Sequence, residues 1–91
     1  MGSGGVTNRG VEKSFERSLE PKGKPNSRID RYKNGIKVQS RWYDEKGKAI
    51  RNRDYVHGGK FSFPHDHAWI WNGDNGDRIK EHLPPDYDNF N

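Results

Sequence analysis

One stretch of the sequence, Asp54 to Trp71, holds three of the four histidines, two of the three tryptophans and two of the four phenylalanines. Imidazoles exchange protons near neutral pH and ligate transition metals, so His57, His65 and His67 are the residues with which to begin. Two chemistries are open to them. In the first, His65 and His67 stand at i and i+2, project to one side of an extended strand, and converge on one ion with Asp54 or His57 completing the set. The chain has no cysteine, so a metal such as zinc would be held by imidazole and carboxylate alone.

The second chemistry needs no cofactor. Metal-independent RNA cleavage requires a base for the 2′-hydroxyl, an acid for the leaving oxygen, and cations for the charge that builds on phosphorus. His57 with either His65 or His67 would supply base and acid. Arg41, Arg51, Arg53 and Lys60 would face phosphate, and Tyr55 or a tryptophan would stack a base. Both chemistries stand beside a plainer reading, in which the histidines belong to the core or its rim and the arginines to a solvated sheet face.

Composition narrows the classes. Ninety-one residues with 27% hydrophobic and 33% charged side chains make one small domain with a slender core. Trp42, Trp69, Trp71, Ile29, Ile36, Val38, Ile50 and Ile70 are its candidate members. A net charge of +4 favours an anionic partner such as RNA or another nucleic acid. No apolar run approaches the roughly 20 residues of a membrane span, so a soluble, cytoplasmic or virion-associated domain without a membrane partner is expected. Gly58-Gly59-Lys60 is too short for a phosphate-cradling loop, and neither a serine elbow nor a cysteine nucleophile is present.

The elements that must position these residues read as α+β, mainly β. Asn34-Gly35 between Arg28–Lys33 and Ile36–Tyr43 is the signature of a two-residue hairpin. Pairing Lys33 with Ile36 sets Arg31 opposite Val38 and Ile29 opposite Ser40. Asp44-Glu-Lys-Gly47 suits a turn with a glycine bulge leading into Lys48–Val56, with Ile50 opposite Trp42. These runs make a three-stranded antiparallel meander with one apolar face through Ile29, Ile36, Val38, Trp42 and Ile50. His65–Trp71 reads as a fourth strand or an extended crossing, with His65, His67, Trp69 and Trp71 on one side. Asp77 caps a short C-terminal helix, Arg78–Leu83, which Pro84-Pro85 ends. Residues 1–26 read as a flexible arm or linker. Their Met-Gly-Ser-Gly-Gly start resembles a cloning scar, and Val11, Phe15 and Leu19 mark one face of a short helix. Residues 27–91 form the domain.

Arg41-Trp-Tyr-Asp-Glu-Lys-Gly-Lys-Ala49, Arg53-Asp-Tyr-Val-His-Gly58 and Phe63-Pro-His-Asp-His67 with Trp69 resemble the small C-terminal domains of bacterial polymorphic toxins and of phage or prophage structural proteins. The resemblance spans about Ile29 to Trp71, and its Asp-Tyr-x-His-Gly and Pro-His-x-His elements correspond to Asp54, His57, His65 and His67. It implies a cargo domain at the end of a longer parent protein, acting on nucleic acid and neutralised by an acidic immunity protein. The alternative it leaves open is a non-enzymatic phage structural or protein-interaction module.

Overall fold

The computed structural model describes residues 11–57 and 60–91, with side chains described for all of these except 57 and 60–63. It is a six-stranded mixed sheet: β1 (Val11–Ser14), β2 (Arg28–Lys33), β3 (Ile36–Tyr43), β4 (Ala49–His57), β5 (Lys60–Asn72) and β6 (Asn75–Arg78). The strands follow one another across the sheet in sequence order. β1 and β2 are parallel, and every later pair is antiparallel. Among the described residues there is no helix, so the α+β expectation, with three strands and a C-terminal helix, gives way to an all-β sheet.

Backbone pairing displaces the expected helix at Arg78–Leu83. Six residues are too few for a stable helix in water, where about 12–15 are marginal. Gly73, with φ 63°, instead turns the chain back beside β5, and β6 pairs Trp69 with Arg78 and Trp71 with Gly76. Past β6 the same path continues. The Ile79 N–H donates to the Ala68 carbonyl at 2.9 Å, and Leu83 and Asp66 exchange two backbone bonds at 2.8 Å.

Of the segment read as an arm, residues 1–10 lie outside the described residues, and between residues 11 and 26 β1 forms an edge strand. Of the residues on the anticipated helical stripe, Leu19 is buried while Val11 and Phe15 stay exposed. What holds this segment is polar. The buried Arg41 guanidinium donates to the carbonyls of Leu19 (2.7 Å) and Glu20 (3.2 Å), and the Tyr43 hydroxyl donates to Glu20 at 2.7 Å. The Ala49 and Gly23 N–H groups add bonds to Pro21 and Gly47 at 2.9 and 2.8 Å. Buried donors must find acceptors, and here the arm's backbone supplies them.

The two hairpin turns form as the sequence predicts. Asn34 and Gly35 take φ of 52° and 79°, as a type I′ turn needs, and Gly47 takes 80° where the Asp44 turn closes. The strands between them do not keep the expected register. Lys33 pairs with Ile36 and Tyr32 with Lys37, but a bulge then sets Arg31 opposite Gln39 and Ile29 opposite Arg41. A second bulge sets Trp42 opposite Arg51 in place of Ile50. Each bulge inserts one residue, and one residue exchanges the faces of everything beyond it.

Trp42 therefore shares a face with Arg28, Asp30, Ser40, Arg51, Arg53 and Asp66, and the continuous apolar face does not form. This side is a polar core. Ser40 Oγ donates to Asp30 Oδ1 at 2.6 Å. Arg53 grips Asp66 at 2.7 and 3.1 Å, and Arg51 adds a bond at 2.8 Å. Trp42 and Tyr87 lie against the Arg53 guanidinium at 4.9 and 4.3 Å. Phe90 meets Trp42 edge-on at 5.7 Å, so the C-terminal tail covers this face through Tyr87 and Phe90.

Candidate functional site

The opposite face carries the histidines, and antiparallel register assembles it in rows. One row runs Arg31, Gln39, Asp54, His65 across β2 to β5, and the next runs Ile29, Arg41, Asn52, His67. Side chains bond along the first row: Arg31 Nε donates to Gln39 Oε1 at 3.1 Å, and Gln39 Nε2 donates to Asp54 Oδ1 at 3.2 Å. Asn52 Nδ2 gives the same oxygen a second bond at 3.1 Å, while its own oxygen accepts from Arg41 Nε. Amides thus fix Oδ1 and leave Oδ2 directed toward β5.

Around Oδ2 stand His65 Nε2 and His67 Nε2, each at 3.4 Å, and Arg78 Nη1 at 3.5 Å. His67 Nδ1 lies 2.7 Å from the Ile79 carbonyl oxygen, so that nitrogen carries the hydrogen and donates. His82 completes the group. Its ring stacks on His65 with centroids 4.0 Å apart and meets His67 edge-on at 5.1 Å. One ring nitrogen from each of the three imidazoles falls within 4.8 Å of the others. The strand path places His82 here, because Ile79 and Leu83 are pinned to Ala68 and Asp66 on either side of it.

The cluster floors a shallow open depression of about 290 Å³ lined by Asp54, His65, His67, Arg78, Lys80 and His82. A second depression of similar volume adjoins it, shares Asp54 and Arg78, and adds Arg31 and Lys33. Four cationic side chains, Arg31, Lys33, Arg78 and Lys80, therefore line the two openings. Imidazoles in such a place can exchange protons or hold an ion, and the cations can receive an anionic ligand.

The residues singled out from sequence fall into four groups. His65, His67 and Asp54 come together. Arg41 lies on the same side but is buried, with its guanidinium committed to Asn52, Leu19 and Glu20 and resting 4.8 Å from the Trp69 ring. Burial draws its pKa below the usual arginine value. Arg51, Arg53 and Tyr55 belong to the opposite face. Both arginines hold Asp66, and the Tyr55 hydroxyl lies 3.1 Å from Ser40 Oγ. Last, the side chains of His57 and Lys60 lie outside the described residues; their backbones pair with each other at the far end of β4 and β5.

Sequence reasoning missed His82, Arg78 and Lys80 because a helix was expected there. The signal was the Asn72-Gly73-Asp74-Asn75 turn. A tight hairpin centred on it pairs Trp69 with Arg78, and the chain continues beside β5, with Leu83 coming opposite Asp66, so that Lys80 and His82 line the depression with His65 and His67. Compared with known proteins, the chain matches no family model, no curated protein and no solved structure.

Proposed function

We propose that this domain binds and cleaves nucleic-acid phosphodiesters at the His65–His67–His82 cluster. The observation that carries this reading is the junction of three imidazoles and Asp54 with a double depression lined by Arg31, Lys33, Arg78 and Lys80. Phosphodiester cleavage needs a group that activates a hydroxyl or water and cations that stabilise the additional charge on phosphorus. The cluster offers the first, and the flanking cations offer the second. This moves the phosphate-binding role from Arg41, Arg51 and Arg53, whose guanidiniums hold the fold together, to the cations on the Asp54 side.

The reading agrees with the resemblance to toxin and phage cargo domains. In that setting an acidic immunity protein would cover the cationic openings, and the rest of the parent protein would deliver the domain. The test is incubation of the purified domain with mixed RNA and single-stranded DNA pools, once in chelator and once each with zinc, manganese and magnesium, followed by sizing of the products. Discrete cleavage, abolished by His82→Ala and weakened by Arg78→Ala, is the expected result. Intact nucleic acid in every condition would replace the proposal with the structural or interaction module of a phage particle.

A further inference from the structure

The geometry points to a mononuclear zinc-type metal centre bound by Nε2 of His65, Nε2 of His67, one ring nitrogen of His82 and Oδ2 of Asp54. It shares its site with the nucleic-acid reading and rests on that reading for what the ion would do, though not for whether it binds.

The first support is spacing. An ion bonded at about 2.0–2.1 Å to tetrahedral nitrogen and oxygen ligands holds neighbouring ligand atoms roughly 3.3–3.4 Å apart. Asp54 Oδ2 stands 3.4 Å from Nε2 of both His65 and His67. Such a separation is long for a charge-assisted hydrogen bond, which runs about 2.7–2.9 Å, and suits two ligands of one ion. One ring nitrogen of the exposed His82 lies within 4.8 Å of one from each of His65 and His67.

A second support comes from the atoms behind the ligands. Because His67 gives its Nδ1 hydrogen to Ile79, Nε2 is the ring nitrogen that faces the Asp54 carboxylate. A backbone carbonyl behind a ligating imidazole fixes its tautomer and raises its basicity, as is usual behind metal-bound histidines. Gln39 and Asn52 do the corresponding work for Asp54 by holding Oδ1.

Donor chemistry decides the class of ion. Three imidazoles and one carboxylate suit zinc and its neighbours in the first transition row, whereas calcium and magnesium favour oxygen ligands throughout. The ion would tie β4, β5 and the segment after β6 at one point. Exchange of Asp54 for water would open one coordination position beside Arg78 and Lys80, where an activated water could meet phosphate.

The experiment is zinc titration of the chelator-treated protein by calorimetry, with cobalt(II) in parallel read by its visible absorption. The centre predicts one zinc per chain, a higher melting temperature with zinc, and the intense visible bands of tetrahedral cobalt. His82→Ala, a change at an exposed position, should weaken zinc binding at least roughly 10- to 100-fold and remove those bands. Failure of the folded protein to bind zinc stoichiometrically would overturn the inference. So would wild-type affinity in both His82→Ala and Asp54→Asn, since the ion would then lie elsewhere. Zinc binding with intact nucleic acid would remove the proposed function and keep the centre, whereas cleavage in chelator by a protein that binds no zinc would do the reverse.

Discussion

Asp66 on β5 and Asp54 on β4 are carboxylates on adjacent strands that face opposite sides of one sheet, and their surroundings differ in a way that separates support from function. The Asp66 side chain has no exposed surface and accepts bonds at 2.7–3.1 Å from Arg53, Arg51 and the Asp86 N–H. Asp54 is satisfied at one oxygen only by neutral amides, and the other oxygen has its nitrogen neighbours at 3.4–3.5 Å. A carboxylate surrounded by short bonds to cations fixes structure. One whose second oxygen has only long contacts, at 3.4–3.5 Å, to imidazoles and an arginine has room for another atom.

The sharpest way to break this contrast is to remove Asp66. Asp66→Ala strands the buried Arg53 and the half-buried Arg51, and loss of one partner from a buried ion pair costs about 3–5 kcal/mol. Against a total of about 5–15 kcal/mol that is a large loss, to be read as a lower urea midpoint. Arg51→Gln removes one of these bonds and should cost less, which separates the bond's contribution from collapse of the whole face.

Acid tests the same region without mutation. Burial alone would raise the Asp66 pKa, but the bonds from Arg53, Arg51 and the Asp86 N–H outweigh it and hold the carboxyl below its ordinary value. The unfolded carboxyl takes up a proton at about pH 3.9, so between that pH and the lower folded value the unfolded state binds more protons. The Asp66 contribution is therefore complete above about pH 4 and is lost as pH falls through the folded pKa. Melting temperatures measured from pH 7 to 2 should drop steeply below about pH 4, and Asp66→Asn should flatten that drop. An unchanged slope in the variant would assign the acid transition to other groups.

The two regions were not equally legible from sequence. Asn34-Gly35 and Asp44–Gly47 specify their turns locally, because only certain residues accept a positive φ. Strict alternation along β5 likewise places His65, His67, Trp69 and Trp71 on one side, and the stacked Trp69–Trp71 pair and the His65–His67 contact bear this out. The bulges near Tyr32 and Trp42 had no comparable local mark. They exchange the faces of Ile29 and Trp42, and in doing so place Asp66 among arginines that the sequence had suggested for phosphate. His82 was hidden for another reason. A short run with a plausible cap and a proline stop satisfies the local rules for a helix, yet pairing to β5 satisfies its backbone better.

The smallest expected effect on stability, and the one that most sharpens the comparison, comes from Asp54→Asn. The carboxamide oxygen can still accept from Gln39 and Asn52, and Arg78, the arginine paired with Oδ2, is itself 41% exposed. The cost should stay within about 1 kcal/mol, read from urea midpoints at unchanged slope. Zinc should meanwhile raise the melting temperature of the variant less than that of the wild type, because a neutral amide is a poorer ligand than a carboxylate. A loss as large as that of Asp66→Ala would mean that Asp54 is a second structural anchor, and the functional contrast between the two faces would fall. A small loss with a blunted zinc response would place the two carboxylates in different roles, one holding the sheet together and the other serving the site it carries.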